Sequence, residues 1–211
     1  MGGKRKCLAQ SILTTTLRLK PSSKKLPERI QSVTTVKNKA PRVFFQDEAR
    51  FGRICQVRKT WLPKGERSEV KAQHIRQYLY AYSAIEPKTG ESVSLIFPYA
   101  NTACMTLFLK ELSERYSDDE LVLVLDGAAW HKSKELQIPS NIRLICLPPY
   151  SPQLNPVEQL WKGLRTKFFG NRYLETLDAV EAHLTKALQW VNKHTAWVKS
   201  FAYYPYIFYA I

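Results

Sequence analysis

Cysteine is scarce in this sequence and is not arranged to bind a metal or to form a disulfide framework. The chain has four cysteines, Cys7, Cys55, Cys104 and Cys146, with no C-x-x-C pair and no histidine at zinc-finger spacing. This scatter argues against a structural zinc site and favours unpaired thiols in a reducing compartment.

Long apolar runs are also missing. No segment approaches the ~18 consecutive apolar residues that a membrane span needs. The chain starts with the basic stretch M-G-G-K-R-K, and no apolar core of a secretory signal follows it. We therefore expect a cytoplasmic protein without a membrane partner.

Acidic residues are few compared with basic ones. Among 211 residues there are 18 Asp+Glu and 32 Lys+Arg, which gives a formal net charge of +14. Such an excess favours a polyanionic partner, nucleic acid before an anionic membrane, and hence association with the nucleoid. On charge alone, the alternative is a basic but otherwise ordinary enzyme. The hydrophobic content of 45% is enough to fill the core of one sizeable domain.

Residues 1–40 differ from the remainder of the chain. They are rich in Lys, Arg, Ser and Thr, are interrupted by Pro21 and Pro27, and show no long periodic pattern. We predict a basic, partly flexible lead-in with a short helix near Leu26–Val33, followed by a single domain at 41–211. The lead-in is either a solvated tail or a tail that also touches the DNA backbone.

The first half of the predicted domain is rich in β-strand patterns. R-V-F-F-Q-D predicts a strand that ends at Asp47, and E-A-R-F-G-R predicts a turn at Gly52. A second strand is expected from Ile54 to a turn at Pro63 and Gly65. Q-Y-L-Y-A-Y-S-A-I and E-S-V-S-L-I-F-P then alternate around a Pro/Gly loop, which predicts a β-hairpin.

The second half alternates helices with two buried strands. L-V-L-V-L-D and I-R-L-I-C-L are apolar runs typical of strands that are buried on both faces. The predicted helices cover Thr102–Tyr116, capped by Asn101 or Thr102, a short piece at Ser133–Leu136, a helix that starts at Pro156 after an Asn155 cap, and Leu177–Lys193. This order predicts an α/β fold with helices packed on a mixed sheet.

Three acids lie at the ends of predicted elements. Asp47 and Asp126 end two strands, and Glu158 lies in the first turns of the helix that follows a proline-rich elbow, L-P-P-Y-S-P-Q-L-N-P. Ligands collect at the carboxyl ends of strands in such sheets, and the prolines restrict the path that delivers Glu158 to that edge. Each acid has a structural alternative, because aspartate forms turns and acids stabilise helix starts. Strand alternation points Glu48 to the opposite face from Asp47.

Three convergent carboxylates predict a hard divalent cation. Oxygen ligands suit Mg²⁺ or Mn²⁺, and the sequence offers no Cys/His ligand set. Two such ions roughly 3.5–4 Å apart activate an attacking oxygen and stabilise a leaving one in phosphodiester displacement. Combined with the basic charge, this predicts nucleotidyl-transfer chemistry on DNA or RNA.

Three motifs resemble a known family. F-F-Q-D-E-A-R-F-G, V-L-D-G-A-A-W-H and L-P-P-Y-S-P-Q-L-N-P-V-E-Q-L-W-K resemble the catalytic domain of bacterial insertion-sequence transposases of the mariner superfamily. The resemblance implies a ribonuclease-H-like mixed sheet of about five strands flanked by helices. It also implies that Asp47, Asp126 and Glu158 are the catalytic, metal-binding Asp-Asp-Glu triad. Trp161, one helical turn after Glu158, is expected to anchor its helix to the core rather than to stack on a base.

The resemblance further implies cleavage at the terminal inverted repeats of a mobile element, followed by strand transfer into target DNA by a dimer bound to DNA. Residues near the triad are expected to contact that DNA. These are Arg50, Arg53, His131, Lys162 and Arg165. For His131, a contact to a phosphate near the metal and a role in ordering its loop both stay open.

Relatives of this kind carry an N-terminal helix-turn-helix region that recognises the repeats, whereas only a basic lead-in precedes the first predicted catalytic strand here. One expectation is a separately encoded helix-turn-helix partner, and the other is a truncated copy. Two further alternatives to a transposase follow: a non-catalytic DNA-binding remnant, and a plain nuclease of the same fold.

Overall fold

The protein is described from a computed structural model, which covers residues 26–34, 40–59, 61–66, 69–71, 73–202, 204 and 207. The greater part of the expected lead-in, including residues 1–25, lies outside the described residues. Within the described part of the chain, no helix is long and apolar enough to cross a membrane.

The centre of the fold is a mixed, five-stranded sheet, as predicted. The strands lie in the order β3-β2-β1-β4-β5. β1, β2 and β3 form an antiparallel meander, whereas β4 and β5 run parallel to β1. Their bounds are β1 Arg42–Ile54, β2 His74–Ile85, β3 Ser92–Phe97, β4 Leu121–Leu125 and β5 Ile142–Cys146.

Helices cover both faces of the sheet. The α-helices are α1 Leu26–Thr34, α2 Thr102–Arg115, α3 Val157–Lys167, α4 Leu177–Lys193 and α5 Thr195–Ala202, with short 3₁₀ turns at Ala129–His131 and Pro152–Leu154. Asn101 caps α2 by accepting the Cys104 N–H at 2.8 Å, one of the two caps that the sequence allowed. α4 has the predicted bounds, because its apolar residues recur at helical spacing and Thr176 caps its first turn.

The sheet separates two apolar cores. Alternate side chains of β1 enter opposite cores: Phe45 packs on the side of α3 and α4, and Phe44 packs on the side of α2. Leu26 and Ile30 of α1 are fully buried in the first of these cores. This helical part of the expected lead-in therefore packs with the domain.

The structure corrects the predicted end of β1. The strand does not stop at Asp47, and no turn forms at Gly52, because β1 keeps pairing with β2 as far as Ile54. Gly52 is needed for a different reason: a Cβ atom there would collide with the Gln77 carbonyl oxygen and the Tyr78 ring on β2. The glycine permits close strand contact rather than chain reversal.

Two other predicted elements do not form. The strand expected after Ile54 is reduced to an isolated bridge between Gln56 and Gly170. The helix expected at Ser133–Leu136 is absent, and a 3₁₀ turn lies earlier, at Ala129–His131. This earlier turn is stabilised because the Asp126 side chain accepts the Ala128 N–H at 3.0 Å.

Candidate active site

β1 and β4 bring the first two predicted acids to the same edge of the sheet. The strands are parallel neighbours with Phe45 opposite Val124, so Asp47 and Asp126 follow the paired segment on each strand. β4 ends at Leu125, and its pairing with β1 runs only as far as Phe45. Beyond that point the edge of β1 is open to other contacts.

The proline elbow attaches to this open edge through Asn155. The Asn155 side chain is buried, donates to the Gln46 carbonyl oxygen at 2.8 Å, and accepts the Val157 N–H at 3.1 Å. One amide therefore joins the start of α3 to β1, one residue before Asp47. Glu158, the second residue of α3, is held near Asp47 as a result.

The three predicted carboxylates line one cavity. Asp47, Asp126 and Glu158 surround a volume of about 1000 Å³ together with elbow residues and two cations, Arg29 and Lys132. Their exposure differs: Asp47 is half-buried, while the side chain of Asp126 is 54% exposed and Glu158 is exposed. The three acids, which are far apart in the sequence, thus line the same cavity.

Asp47 is the most enclosed of the three acids. Burial, together with the charges of Glu158 and Glu48, raises the pKa of Asp47 to about 8 despite the hydrogen bonds from Trp161 and the backbone. The Trp161 indole N–H donates to Asp47 Oδ2 at 2.9 Å. Trp161 is 1% exposed, so it anchors α3 to the core as predicted and also orients Asp47.

Asp126 belongs to a chain of charged groups that includes Glu48. His131 Nδ1 lies 3.0 Å from Asp126 Oδ1, and His131 Nε2 lies 2.9 Å from Glu48 Oε1. Burial alone would lower the pKa of His131, but hydrogen bonds with Asp126 and Glu48 outweigh it and raise this pKa to about 10. The hydrogen bond from His131 in turn lowers the pKa of Asp126.

The surroundings of His131 bear on the two roles left open for it. Its side chain is 0% exposed and lies within hydrogen-bonding distance of two carboxylates, which favours a role in ordering its loop over a contact with phosphate. Glu48 points to the opposite face of β1 from Asp47, as strand alternation predicted, and reaches the site through His131.

The other four residues expected to contact DNA lie on or beside the open edge of β1 and on α3. The Arg50 guanidinium lies 4.5 Å from the Tyr78 ring centroid, and Arg165 lies 5.2 Å from that of Phe51. Arg53 donates to Gln77 at 2.9 Å, and Lys162 is exposed on α3. None of these placements conflicts with a phosphate contact.

A second, basic cavity lies next to Asp47 along β1. It has a volume of about 440 Å³ and is lined by Arg50, Arg165 and Arg172 with the aromatic residues Tyr78 and Phe169. Burial lowers the pKa of Arg165, while the charges of Glu158 and Asp47 act in the opposite direction. Arg165 therefore lines the basic cavity and interacts electrostatically with two carboxylates of the acidic cavity.

Several residues of the site were missed by sequence reasoning. Arg29 reaches the acidic cavity from α1 and donates to the Cys146 carbonyl oxygen at 3.1 Å. Lys132 lies beside Asp126, and Arg172 completes the basic cavity. No local pattern marks these three cations, because the chain carries 32 Lys+Arg in total.

The donor set of the acidic cavity fits a hard divalent cation. Within the described ranges, no three His, Cys, Asp or Glu side chains are already gathered at metal-binding distance. The three carboxylates nevertheless line one cavity, and Asp47 is forced toward its protonated form by burial and by neighbouring negative charge. A cation that takes oxygen ligands would relieve this repulsion, so these residues are suited to hold Mg²⁺ or Mn²⁺.

Comparison of the sequence with known proteins identifies a family. Residues 42–181 match the family described as DDE superfamily endonuclease. An uncharacterized Sinorhizobium fredii protein, y4pE/y4sA, is 37% identical over 111 residues, which cover 52% of this chain and 82% of that protein. A 39 kDa protein of insertion element IS630 from Shigella sonnei is 26% identical over 140 residues, covering 64% of this chain and 41% of that protein.

Comparison with solved structures shows the fold. The Mos1 strand transfer complex superposes with a TM-score of 0.55 at 14% identity, covering 87% of this chain and 61% of the Mos1 chain. The Mos1 mariner paired end complex with Mn gives a TM-score of 0.57 at 14% identity, covering 87% of this chain and 62% of the other. The predicted ribonuclease-H-like fold is thereby confirmed. The chain spans less than two thirds of the Mos1 chain and of the insertion element protein.

Proposed function

This chain belongs to the DDE superfamily endonucleases, and from that membership we propose that it is the catalytic domain of an insertion-sequence transposase. Its reaction is metal-dependent cleavage of DNA at the ends of a mobile element, followed by strand transfer into target DNA. One observation above all supports this proposal: Asp47, Asp126 and Glu158, which are far apart in the sequence, line a single cavity at the carboxyl end of β4.

The proposed cofactor is Mg²⁺ or Mn²⁺, with two ions held by Asp47, Asp126 and Glu158. When bound, such ions activate an attacking oxygen and stabilise a leaving oxygen on phosphorus. The protein's own contribution is orientation: Trp161 holds Asp47 by one carboxylate oxygen, and Asn155 holds the start of the helix that carries Glu158. Preorganised ligands avoid part of the cost of gathering like charges.

The proposed partner is DNA, both terminal inverted repeats and target. The net charge of +14 favours a polyanion, and the basic cavity offers Arg50, Arg165 and Arg172 to phosphates that lie beside the acidic cavity. The Mos1 complexes named above are a strand transfer complex and a paired end complex. By analogy we propose that this chain acts as a dimer on paired DNA ends, in association with the nucleoid.

Cleavage of a labelled duplex in Mn²⁺ tests the proposal. We expect Asp47→Asn, Asp126→Asn and Glu158→Gln each to lose cleavage by at least ~100-fold, since catalysis depends on the cation that they hold. DNA binding should be largely retained, because it rests on Lys and Arg contacts with phosphates. Glu114→Gln is a control, since Glu114 is an exposed acid on α2 paired with Lys110.

The outcomes separate the three candidate functions. Cleavage together with joining of a pre-cut end to a plasmid supports a transposase, whereas cleavage without joining supports a plain nuclease. Binding to DNA without cleavage at any Mg²⁺ or Mn²⁺ concentration supports the non-catalytic remnant and contradicts the proposal.

A further inference from the structure

The position of Glu48 and His131 behind Asp126 indicates a specific role for both. We propose that they form a positioning pair, which fixes the Asp126 carboxylate in the orientation that receives a divalent cation. This inference rests on the proposed function, because it assumes that Asp126 is a metal ligand. Neither residue of the pair is a catalytic residue in this proposal, since both act through Asp126.

The two ring nitrogens of His131 link Glu48 to Asp126. Nε2 meets Glu48 Oε1 at 2.9 Å, and Nδ1 meets Asp126 Oδ1 at 3.0 Å and the Asp126 carbonyl oxygen at 3.3 Å. All of these oxygens are acceptors, so both ring nitrogens must donate. The ring therefore connects a carboxylate on β1 with the carboxylate that follows β4.

Glu48 is itself a fixed anchor. Its Oε1 atom accepts from Gln46 Nε2 at 2.9 Å and from Trp130 Nε1 at 3.5 Å, in addition to His131. Its side chain is 7% exposed, and it lies on β1 opposite Tyr82 of β2. Donors converge on a single oxygen in the sheet, so Glu48 has little freedom to move.

Asp126, in contrast, needs support from outside its own strand. It lies one residue beyond β4, and its side chain is 54% exposed. The hydrogen bonds described for its carboxylate, from Ala128 N–H and His131 Nδ1, both fall on Oδ1. Fixing one oxygen orients the other, Oδ2, toward a ligand, which is how residues behind a metal ligand tune its affinity.

A purely structural role for the network is the competing explanation. A buried Glu–His pair could simply hold the loop that follows β4, and its loss would then lower stability without a specific effect on metal binding. The two explanations differ in whether loss of the pair weakens Mn²⁺ binding in a variant that remains folded, and Glu48→Gln is the conservative variant for either. The glutamine side chain keeps an acceptor oxygen for His131 and the shape of Glu48 while removing the charge.

The test is calorimetric titration of Mn²⁺ into the full chain without DNA, with melting curves to confirm that each variant is folded. We expect Glu48→Ala and His131→Ala each to weaken Mn²⁺ binding by roughly 10- to 100-fold. The double variant should be no worse than His131→Ala, because Glu48 acts only through His131. Glu48→Gln should remain close to wild type, since Oε1 still orients the ring.

Glu86→Ala provides a matched control. Glu86 is also a buried carboxylate, with a side chain 5% exposed, but it pairs with Arg42 at the opposite end of the sheet. We expect this variant to melt at a lower temperature with unchanged Mn²⁺ affinity. An equal loss of affinity in Glu86→Ala would show that the effect reflects stability alone and would overturn the inference.

Failure of this inference differs from failure of the proposed function. If wild type binds Mn²⁺ and Asp126→Asn does not, but Glu48→Ala and His131→Ala bind normally, the positioning role is wrong while the metal site stands. Additive effects in the double variant, or a Glu48→Gln defect equal to that of Glu48→Ala, would also overturn the positioning role. If wild type shows no Mn²⁺ binding that depends on Asp126, the proposed metal site and the positioning role fail together.

Discussion

Two aspartates in one cavity are placed in opposite electrostatic surroundings. Burial and neighbouring acids raise the pKa of Asp47, whereas the hydrogen bond from His131 lowers the pKa of Asp126. Charged Asp126 is therefore already stabilised by the protein. The charged form of Asp47 is destabilised unless a cation compensates its charge. Removing the carboxylate of Asp47 should therefore change the stability of the protein more clearly than removing that of Asp126.

Asp47→Asn should stabilise the metal-free protein at pH 8. The pKa of Asp47 is about 8 in the folded chain against an ordinary value of 3.8, so the folded state binds more protons over this range. The contribution of Asp47 to the free energy of unfolding is therefore greatest below pH 3.8 and decreases as the pH rises toward 8. We expect the melting temperature of the variant in EDTA at pH 8 to rise by at least ~2–4 °C, which corresponds to ~1 kcal/mol.

The control for this prediction is Asp118→Asn, which changes an exposed aspartate outside the cavity. The difference between Asp47→Asn and wild type should shrink toward zero near pH 4. A melting temperature for Asp47→Asn at or below that of wild type at pH 8 would contradict the proposed cause of the raised pKa.

Sequence reasoning found the three acids but not the residues that support them. Asp47, Asp126 and Glu158 were identified because each lies near the end of an element with a clear apolar pattern. The link from Glu48 to Asp126 could not be predicted, since it depends on a loop that returns His131 to the face of β1 opposite Asp47. That return is a tertiary contact across 83 residues of sequence.

At the scale of secondary structure, the length of β1 controls the site. β1 continues beyond its pairing with β4, and this open edge receives Asn155 from the elbow and Arg165 from α3. The sequence predicted that the strand would stop at Asp47, because E-A-R-F-G-R resembles a turn. Cross-strand pairing with β2 overrides that local preference, and the same extension provides the attachment point for α3.

Asn155→Ala tests whether the elbow positions Glu158. Loss of the amide leaves the buried Gln46 carbonyl oxygen without its donor, which should cost ~1–3 kcal/mol of stability. We also expect DNA cleavage to fall by at least ~10-fold, because small displacements of a reacting group reduce rates strongly. Urea unfolding and the Mn²⁺-dependent nicking assay measure the two effects.

Asn141→Ala is the matched control for this variant. Asn141 also joins distant segments through its side chain, donating to the carbonyl oxygens of Tyr116 and Asp119, but it lies away from the cavity. It should lose stability and keep its cleavage rate per folded molecule. If Asn155→Ala behaves in the same way as Asn141→Ala, the elbow does not position Glu158.

At the scale of the whole molecule, the acidic and basic cavities are both lined by residues of β1. Arg50 and Phe51 of β1 line the basic cavity, Asp47 lines the acidic cavity, and Arg165 of the basic cavity interacts electrostatically with Asp47. The chain has a formal net charge of +14, whereas three carboxylates line the acidic cavity. DNA binding should therefore depend on phosphate contacts outside the triad, and it should weaken steeply with salt.

Arg172→Ala should reduce the salt dependence of DNA binding. Each phosphate contact that is lost lowers the slope of log affinity against log salt concentration by ~1. Fluorescence anisotropy with a labelled duplex at several salt concentrations measures that slope. Arg115→Ala, on α2 in the other layer, should leave it unchanged, and an unchanged slope for Arg172→Ala would exclude the basic cavity from the DNA interface.

The sequence predicted the fold class but not every boundary of the domain. Apolar runs and helical periodicity predicted β2 to β5 and α2, α3 and α4, but they also predicted a strand after Ile54 that does not form. The packing of Leu26 and Ile30 from α1 into the core was not predicted, since the segment around them is basic and lacks a long periodic pattern. α1 packs against β4, which is brought next to it only by folding.

Anomalous diffraction from crystals of the chain grown with Mn²⁺ and a DNA end most directly tests whether the triad holds divalent cations. We expect Mn²⁺ peaks in the cavity lined by Asp47, Asp126 and Glu158, coordinated by oxygens of all three carboxylates, and loss of those peaks in Asp126→Asn. Mn²⁺ bound elsewhere on the chain, with this cavity empty and the DNA in place, would contradict the assignment of these three residues.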